Sequence, residues 1–476
     1  MGTVVVRVVA AVAVACAAGL GCGGTASAAP NPPRFSIIHA FGDAPGDGWQ
    51  PWGSPTLVGS TLWGRTTYGG SNNQGGVIWR LDPQNPRSYK VAHAFGGSKV
   101  QYPRGRTGPD VANPHHDWMR ALADGTTLVG AGLYGGRTNQ GGVFAFNAAK
   151  KIRYRVLHSF NGISPANPNG SAKDGAQPHS NPVPVTDLRS RKILVGMTAY
   201  GGANGTGSLY KMNSDGSGFK VLYSFIAVNG DTPHGFVIQR GQRLFGMTRY
   251  GGITAPRSNF ASKSDHKPYE SGNGSVFSFN LKTGKLRVLH LFSYQGPAVP
   301  TLVNGGYDGA VPDHGGLTYS NGRLYGLTTV GGANGSGVLF SININGSGYR
   351  IEHTFGTAMD LAQPHGTLMA GPDGIFYALA ATGGTPGSGG VFRFNPKNGK
   401  YQVLHSFGGG ATGINGEDNP VVTTNAKGAI VLYGMTQLGG PTVSNINPTP
   451  IAPDYSPKAE AQANGTIWKL VLAAKK

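Results

Sequence analysis

Histidines that follow a proline, directly or after one intervening residue, recur five times along the chain. The stretches are PHH (114–116), PH (178–179), PH (233–234), PDH (312–314) and PH (364–365), which contain His116, His179, His234, His314 and His365. Imidazole can move protons near neutral pH and is the commonest metal ligand. One histidine per repeat is not an established ligand spacing, so we predict no metal and no cofactor, although a divalent metal at this histidine ring stays open. Capping a turn or bonding a neighbouring repeat is the simpler interpretation.

Tyrosine and arginine recur close to the same histidines. Tyr68, Tyr134, Tyr200 and Tyr250 each begin a YGG stretch, and Arg249 precedes the last of them. Eliminative cleavage of a uronate polysaccharide needs a cation to neutralise the sugar carboxylate and a base to remove the adjacent proton. If the chain performs that chemistry, the catalytic candidates are His179, His234, Tyr200, Tyr250 and Arg249.

Aromatic and basic residues suited to holding a sugar polymer lie in or beside the longer connections. A concave site with flat rings and a few well-placed charged groups suits an anionic glycan. The candidate ligand-binding residues are therefore His116, His179, His234, His314, His365, Trp49, Trp52, Trp118, Arg137 and Arg249.

The chain is strongly basic and poor in acids. It carries 40 Lys and Arg against 21 Asp and Glu, a formal net charge of +19, which draws a protein to anionic surfaces and polymers. The basic residues are scattered and form no recognition motif, so we expect no nucleic-acid partner. No acid recurs at positions expected to line a channel, which disfavours a hydrolase with paired carboxylates. The aspartates of the DG stretches are expected to form turns.

An apolar run opens the chain and ends in small residues. Residues 1–28 contain one arginine before the run and the stretch Ala26-Ser27-Ala28, the pattern of a signal peptide cleaved before residue 29. Cleavage would remove both cysteines, Cys16 and Cys22, and the glycine before Cys22 disfavours a lipid anchor there. We expect residues 29–476 to form one domain, secreted or periplasmic and monomeric, without a disulfide or a membrane span.

Three short sequence motifs, which we call lines, each recur seven times along the chain. They are typified by VLHSF (403–407), LYGMTQLGG (432–440) and GGVFRFN (389–395), each rich in β-branched or aromatic residues and bounded by turn formers. With a fourth strand starting at each proline-histidine stretch, they predict an all-β, seven-bladed β-propeller. The last repeat lacks a VLHSF strand, so residues 35–41 are expected to complete the last blade and close the ring. The histidines within the VLHSF lines are expected to be structural.

Together these lines resemble the GloVer tandem-repeat family of bacterial exported proteins. The resemblance rests on LYGMT..GG, GxVF, VLHSF and DGxxP, which recur in most repeats over residues 35–472. It implies a propeller fold and no defined biochemical role. Family members often carry a C-terminal sorting anchor, whereas this chain ends in LVLAAKK, which favours a freely released protein.

Three functions are compatible with the sequence. The first is non-catalytic binding of an anionic extracellular or cell-wall polysaccharide, through the face that carries the long connections. The second is a polysaccharide lyase that acts on uronate-containing glycans. The third is a structural or protein-interaction scaffold. The sequence favours them in that order and leaves open whether the protein is an enzyme.

Overall fold

The computed structural model describes residues 32–42, 46–72, 75–149, 154–252, 272–292, 308–416, 418–440 and 464–473. The predicted signal peptide and both cysteines lie outside the described residues, so the domain boundary at residue 29 stays a prediction. Most of the long connections 253–272, 293–311 and 441–463 also lie outside them. No helix within the described ranges is long and apolar enough to cross a membrane.

The regular secondary structure of the described residues consists almost entirely of short strands. In chain order the first are β1 (Arg34–Ala40), β2 (Gly48–Trp49), β3 (Thr56–Val58), β4 (Thr61–Thr66), β5 (Tyr68–Gly69), β6 (Val77–Asp82), β7 (Asn85–Ala94), β8 (Val100–Gln101), β9 (Thr107–Gly108), β10 (Val111–Ala112), β11 (Arg120–Ala121), β12 (Thr127–Gly132), β13 (Tyr134–Gly135), β14 (Gly142–Asn147), β15 (Tyr154–Ser159), β16 (Gly175–Ala176), β17 (Val183–Thr186), β18 (Lys192–Thr198), β19 (Tyr200–Gly201), β20 (Ser208–Asn213) and β21 (Lys220–Ser224).

The second half continues in the same way. Its strands are β22 (Ile238–Arg240), β23 (Arg243–Thr248), β24 (Ser275–Asn280), β25 (Leu286–Leu291), β26 (Thr318–Ser320), β27 (Arg323–Thr328), β28 (Val338–Asn343), β29 (Arg350–Thr354), β30 (Leu361–Ala370), β31 (Phe376–Gly383), β32 (Gly390–Asn395), β33 (Lys400–Ser406), β34 (Val421–Thr424), β35 (Ile430–Thr436) and β36 (Thr466–Val471). Two 3₁₀ turns, Pro103–Gly105 and Gly410–Thr412, are the helical elements of the described residues.

Seven four-stranded antiparallel sheets form the blades, which confirms the predicted propeller. Blades 1 to 6 have the strand orders β3-β4-β6-β7, β11-β12-β14-β15, β17-β18-β20-β21, β22-β23-β24-β25, β26-β27-β28-β29 and β30-β31-β32-β33. Blade 7 has the order β34-β35-β36-β1. The N-terminal strand β1 therefore supplies the outermost strand of the last blade, with Phe35 opposite Leu470, and the ring closes as the sequence predicted.

The glycine of the LYGMT line and the aromatic residue of the GxVF line form one packing unit. Gly64 of β4 pairs with Trp79 of β6, and a Cβ on Gly64 would overlap the Trp79 indole. Gly434 and Trp468 repeat this arrangement in blade 7. Trp79 and Trp468 have no exposed surface. The glycine thus provides the space in which a large ring is buried between strands, and that burial drives the packing of the blades.

The histidines of the VLHSF lines link adjacent blades at the rim. His93 of blade 1 stacks on Tyr154 of blade 2 with ring centroids 3.7 Å apart. Asp110 joins them, since its carboxylate lies 2.8 Å from His93 Nε2 and accepts a hydrogen bond of 2.5 Å from the Tyr154 hydroxyl. The same arrangement recurs as His39–Asp47–Tyr89 and His353–Asp360–Tyr401. In the related group His290–Asp308–Tyr349 the tyrosine hydroxyl donates to the backbone carbonyl of the aspartate. These aspartates and histidines are therefore occupied by structural contacts.

Candidate functional site

Each proline-histidine stretch joins its blade to the preceding one, and the fourth blade illustrates how. Thr232 has a left-handed backbone with φ 49°. Its N–H donates to the carbonyl of Thr206 in blade 3 at 3.0 Å, and its carbonyl accepts from the N–H of Arg249 at 3.3 Å. Pro233 then packs on Gly207, where φ is 103° and a Cβ would collide with the proline ring. The backbone before each histidine is fixed in this way, so the imidazole has a defined place at the inner strand.

The five predicted histidines meet, although they come from five blades. Ring centroids are 3.2 Å apart for His116 and His314, 3.7 Å for His179 and His234, and 5.5 Å for His314 and His365. His115 adds a sixth ring, 4.2 Å from His116. We call these six residues the histidine cluster. Ring contacts between blades build the cluster. Of the two structural roles that the sequence favoured, capping a turn and bonding a neighbouring blade, these contacts correspond to the second.

One carboxylate organises part of the histidine cluster. Asp313 Oδ1 lies 2.9 Å from His234 Nδ1 and 3.2 Å from His314 Nε2. The two nitrogens are 3.1 Å apart. On the other side of the carboxylate, Asp313 Oδ2 is 3.1 Å from Nε of Arg249. Asp313, His234 and His314 are each at most 5% exposed, so two buried imidazoles and one buried carboxylate lie beside a part-buried guanidinium.

Burial lowers the pKa of four histidines of the cluster. It lowers the pKa of His234 to about 4, assisted by the charge of Arg249 and opposed by Asp313. Burial, and then the neighbouring imidazoles, lowers the pKa of His115, His179 and His314 well below the usual value. Burial alone would raise the pKa of Asp313, but Arg249 and the His234 hydrogen bond outweigh it and hold that pKa well below its usual value. Near neutral pH His115, His179, His234 and His314 are therefore neutral imidazoles beside one ionised carboxylate.

A second buried charged group lies beside the cluster. Asp117 pairs with Arg120 at 2.9 Å, and Asp418 accepts a hydrogen bond of 2.9 Å from the Asp117 N–H. Burial raises the pKa of Asp117 to about 6, with Arg120 opposing and Asp418 reinforcing the shift. Arg65 donates to the carbonyls of residues 115–117 and to Asn181, and burial lowers its pKa to about 10. Arg65 therefore holds the backbone that carries two of the clustered histidines.

Two of the predicted binding residues, Trp49 and Arg137, lie with three tyrosines in the connections of blades 1 and 2. Trp49 of β2 stacks on Tyr68 of β5 at 4.7 Å. The guanidinium carbon of Arg137 lies 4.7 Å from the ring centre of Tyr102, and Tyr134 is 40% exposed. The pairs β2–β5 and β10–β13 hold the connections together at one face. We call Trp49, Tyr68, Tyr102, Tyr134 and Arg137 the aromatic–arginine set.

The remaining predicted residues pack against other side chains. Trp52 is 5% exposed and stacks on His115 at 4.7 Å. The Arg120 guanidinium covers the Trp118 ring at 3.3 Å. Tyr200 is 9% exposed and packs with two alanines. Arg249 lies over the Tyr250 ring at 4.8 Å. Among the five catalytic candidates, His179 therefore contacts His234 and Arg249 contacts Tyr250. His234 and Arg249 both contact Asp313.

The acids of this site and His115 were not among the site residues predicted from the sequence. Three aspartates, Asp117, Asp313 and Asp418, lie at or beside the cluster, but they occupy three different positions relative to their prolines, so no recurring acid could be seen. The feature of the sequence that could have revealed them is a departure from the repeat pattern. VPDHGG and NPHHDW each depart from the shorter pattern TPHG, and the departures supply Asp313, His115 and Asp117.

The repeats match the Gloeobacter/Verrucomicrobia repeat over residues 16–252, 107–304 and 269–446. The chain belongs to this family. No curated protein matches it. Membership agrees with the resemblance drawn from the repeat motifs and with the propeller, and it assigns no activity.

Several solved structures resemble this family member in fold. TolB from Acinetobacter baumannii is 10% identical with a TM-score of 0.34, over 87% of this chain and 81% of TolB. An oligogalacturonate lyase from Vibrio parahaemolyticus is 12% identical with a TM-score of 0.37, over 87% of this chain and 98% of the lyase. The tricorn protease is 12% identical with a TM-score of 0.37, over 82% of this chain, which spans only 30% of the protease. No activity is transferred from proteins this distant.

Proposed function

We propose that this family member is an exported propeller that binds an anionic polysaccharide on the face formed by its long connections. The observation that carries the proposal is the aromatic–arginine set, in which the exposed Arg137 and the partly exposed rings of Trp49 and Tyr68 share one face of blades 1 and 2. Rings of this kind stack on sugars, and a guanidinium pairs with a uronate carboxylate.

Charge on this face supports the same proposal. The connections contain aspartates that could repel an anionic polymer, but Asp47, Asp110 and Asp360 are held by rim histidines and tyrosines. Arg137 is exposed and contacts the Tyr102 ring and the Thr107 carbonyl. With the overall charge of +19, the field near this face favours polyanions. Export, by the predicted signal peptide, would place the protein where such polymers occur.

Binding is tested with polygalacturonate and its methyl-esterified form, which differ in charge but share the sugar backbone. We expect the acid form to bind and the ester to bind at least about tenfold more weakly, with affinity falling as salt increases. Arg137→Ala and Trp49→Ala should each weaken binding about tenfold, a change of about 1.4 kcal/mol. Arg191→Ala is the matched control, because Arg191 is an exposed arginine in the β17–β18 turn of the opposite face. Equal binding by all three variants, or no preference for the acid form, would reject the proposal.

A uronate lyase is the second candidate, favoured by the convergence of His234 and Arg249 on Asp313. In that reaction the arginine would neutralise the uronate carboxylate and an imidazole would remove the adjacent proton. The ultraviolet absorbance of unsaturated uronate products tests it directly on the same polymers. Absorbance that increases with time in the wild-type protein and not in His234→Gln would support the lyase, and a constant absorbance on bound polymer would leave a binder.

A further inference from the structure

The carboxylate of Asp313 and two imidazoles bring three polar atoms to within 3.2 Å of one another. Three atoms, Asp313 Oδ1, His234 Nδ1 and His314 Nε2, form a triangle with sides of 2.9, 3.1 and 3.2 Å. If both nitrogens carry hydrogens directed at the carboxylate, two donors face each other across the nitrogen–nitrogen side. If only one does, the lone pair of the other nitrogen faces the carboxylate oxygen. With an ionised carboxylate, each of these two distributions leaves one unfavourable contact in a buried setting, where such contacts are costly.

A cation placed among the three atoms would satisfy every side of the triangle. Nitrogen and oxygen ligands about 2.1 Å from one ion lie about 3.0 Å apart in an octahedral arrangement and about 3.4 Å apart in a tetrahedral one. The observed sides fall in or just below this range. Arg249 contacts the other oxygen, Asp313 Oδ2, and so fixes the carboxylate with Oδ1 toward the two imidazoles.

We propose that His234 Nδ1, His314 Nε2 and Asp313 Oδ1 bind one divalent transition-metal ion at the centre of the ring. Two imidazoles and one carboxylate on one side of an ion suit zinc and other first-row transition metals rather than calcium or magnesium, which prefer oxygen ligands. His179 offers a further nitrogen, and its ligand atom lies within 4.8 Å of those of His234 and His314. Its Nδ1 is buried and has no hydrogen-bond partner among the described residues.

The ligands come from adjacent blades, which gives the ion a structural consequence. His234 enters blade 4, and Asp313 and His314 enter blade 5. A bound ion would therefore join two blades at the axis, where they already exchange close backbone contacts between Gly235 and Gly315. Because a ligand that binds only the folded state stabilises it, the melting temperature should increase with metal concentration.

The test uses the full secreted chain after removal of metal, titrated with Co²⁺ and Zn²⁺. We expect one equivalent of Co²⁺ to bind with the absorption bands of a nitrogen- and oxygen-ligated ion, and Zn²⁺ to displace it. His234→Gln and His314→Gln should each reduce affinity at least about 100-fold, the upper end of the loss seen for partners outside the ligand shell. His353→Gln is the control, since it changes a histidine that pairs with an aspartate at the rim, and it should bind as the wild type does.

A second measurement covers the case in which the ligand variants do not fold. Imidazole ¹⁵N resonances of the wild-type chain are recorded with and without Zn²⁺, and two or three of the 13 histidines should shift. The proposal is overturned if the metal-free chain binds no stoichiometric Co²⁺, if no imidazole resonance shifts, or if folded His234→Gln and His314→Gln retain wild-type affinity. The polysaccharide assay with Arg137→Ala does not involve these residues, so the two proposals fail or succeed separately.

Discussion

Replacing Tyr401 with phenylalanine should reveal how much one histidine–aspartate–tyrosine group at the rim stabilises the propeller, and how that stabilisation depends on pH. The Tyr401 hydroxyl donates to Asp360 at 2.8 Å, and His353, stacked on the tyrosine at 3.6 Å, contacts the other carboxylate oxygen at 2.9 Å. Burial, and then the charge of Asp360, raises the pKa of Tyr401 far above its usual value. The phenol is therefore neutral in the folded protein at any pH the fold tolerates.

The size of the effect follows from these contacts. A hydrogen bond to a charged group contributes about 1.5–3 kcal/mol, so we expect Tyr401→Phe to lower the free energy of unfolding by about 2 kcal/mol at neutral pH. The direction in which this stability changes with pH follows from the linkage between proton release and unfolding. A folded pKa above the unfolded one gives stability that is present below pH 10 and lost as pH increases, because only the unfolded chain releases the proton. At one pH unit above 10, the free energy of unfolding of the wild type is lower by about 1.4 kcal/mol for this reason, and that of the variant is not.

Urea denaturation of wild type and variant at about pH 8 and about pH 11 measures both quantities. The difference in unfolding free energy should decrease from about 2 kcal/mol to less than about 1 kcal/mol between the two conditions. The control introduces a tyrosine where the equivalent rim position has phenylalanine. In blade 3, Phe219 stacks on His158 at 3.8 Å beside Asp174, so Phe219→Tyr should create the same pH dependence. An equal difference for Tyr401→Phe at both pH values would refute the assignment of a neutral, carboxylate-bonded phenol.

Two further predictions concern the joints between blades. Gly207→Ala should destabilise the protein by about 3 kcal/mol in thermal denaturation, because φ of 103° and contact with Pro233 leave no room for a Cβ. The same change at Gly241, where φ is 56° and no atom lies within 4 Å, should cost only about 1 kcal/mol, and equal losses would contradict the inter-blade joint. Deleting residues 33–41 removes β1 and the fully buried Phe41, so we expect the cooperative melting transition to be lost and to return when a peptide of that sequence is added. A truncated chain that melts as the intact one does would show that β1 does not close the ring.

The placement of the candidate site raises a functional question of its own. The aromatic–arginine set lies in the connections of blades 1 and 2, whereas the Asp313 group joins blades 4 and 5 at the axis. The proposed polymer binding and the proposed metal binding are therefore separable by mutation. If the lyase alternative is correct, both groups would act on one substrate, and variants of either would reduce product formation.

The sequence by itself determined the fold of this protein to the level of individual blades. Strand order, blade number and closure by residues 35–41 follow from motifs that recur with the same spacing, because each repeat is one sheet that must bury its faces against the next. The glycine of LYGMT and the aromatic ring of GxVF recur together for a local reason, since one fits the space left by the other. A periodic pattern reveals packing requirements of this kind because every blade shares them.

Only the tertiary structure decided what the proline-histidine stretches do. Their histidines are up to 249 residues apart along the chain, from His116 to His365, and they meet because closing the ring brings every inner strand to one axis. Asp313, His115 and Asp117 belong to single blades and break the repeat, so no periodic pattern could predict them. Whether a buried imidazole faces backbone, another ring or a carboxylate depends on its neighbours across the ring. That is a property of the closed propeller and not of any one repeat.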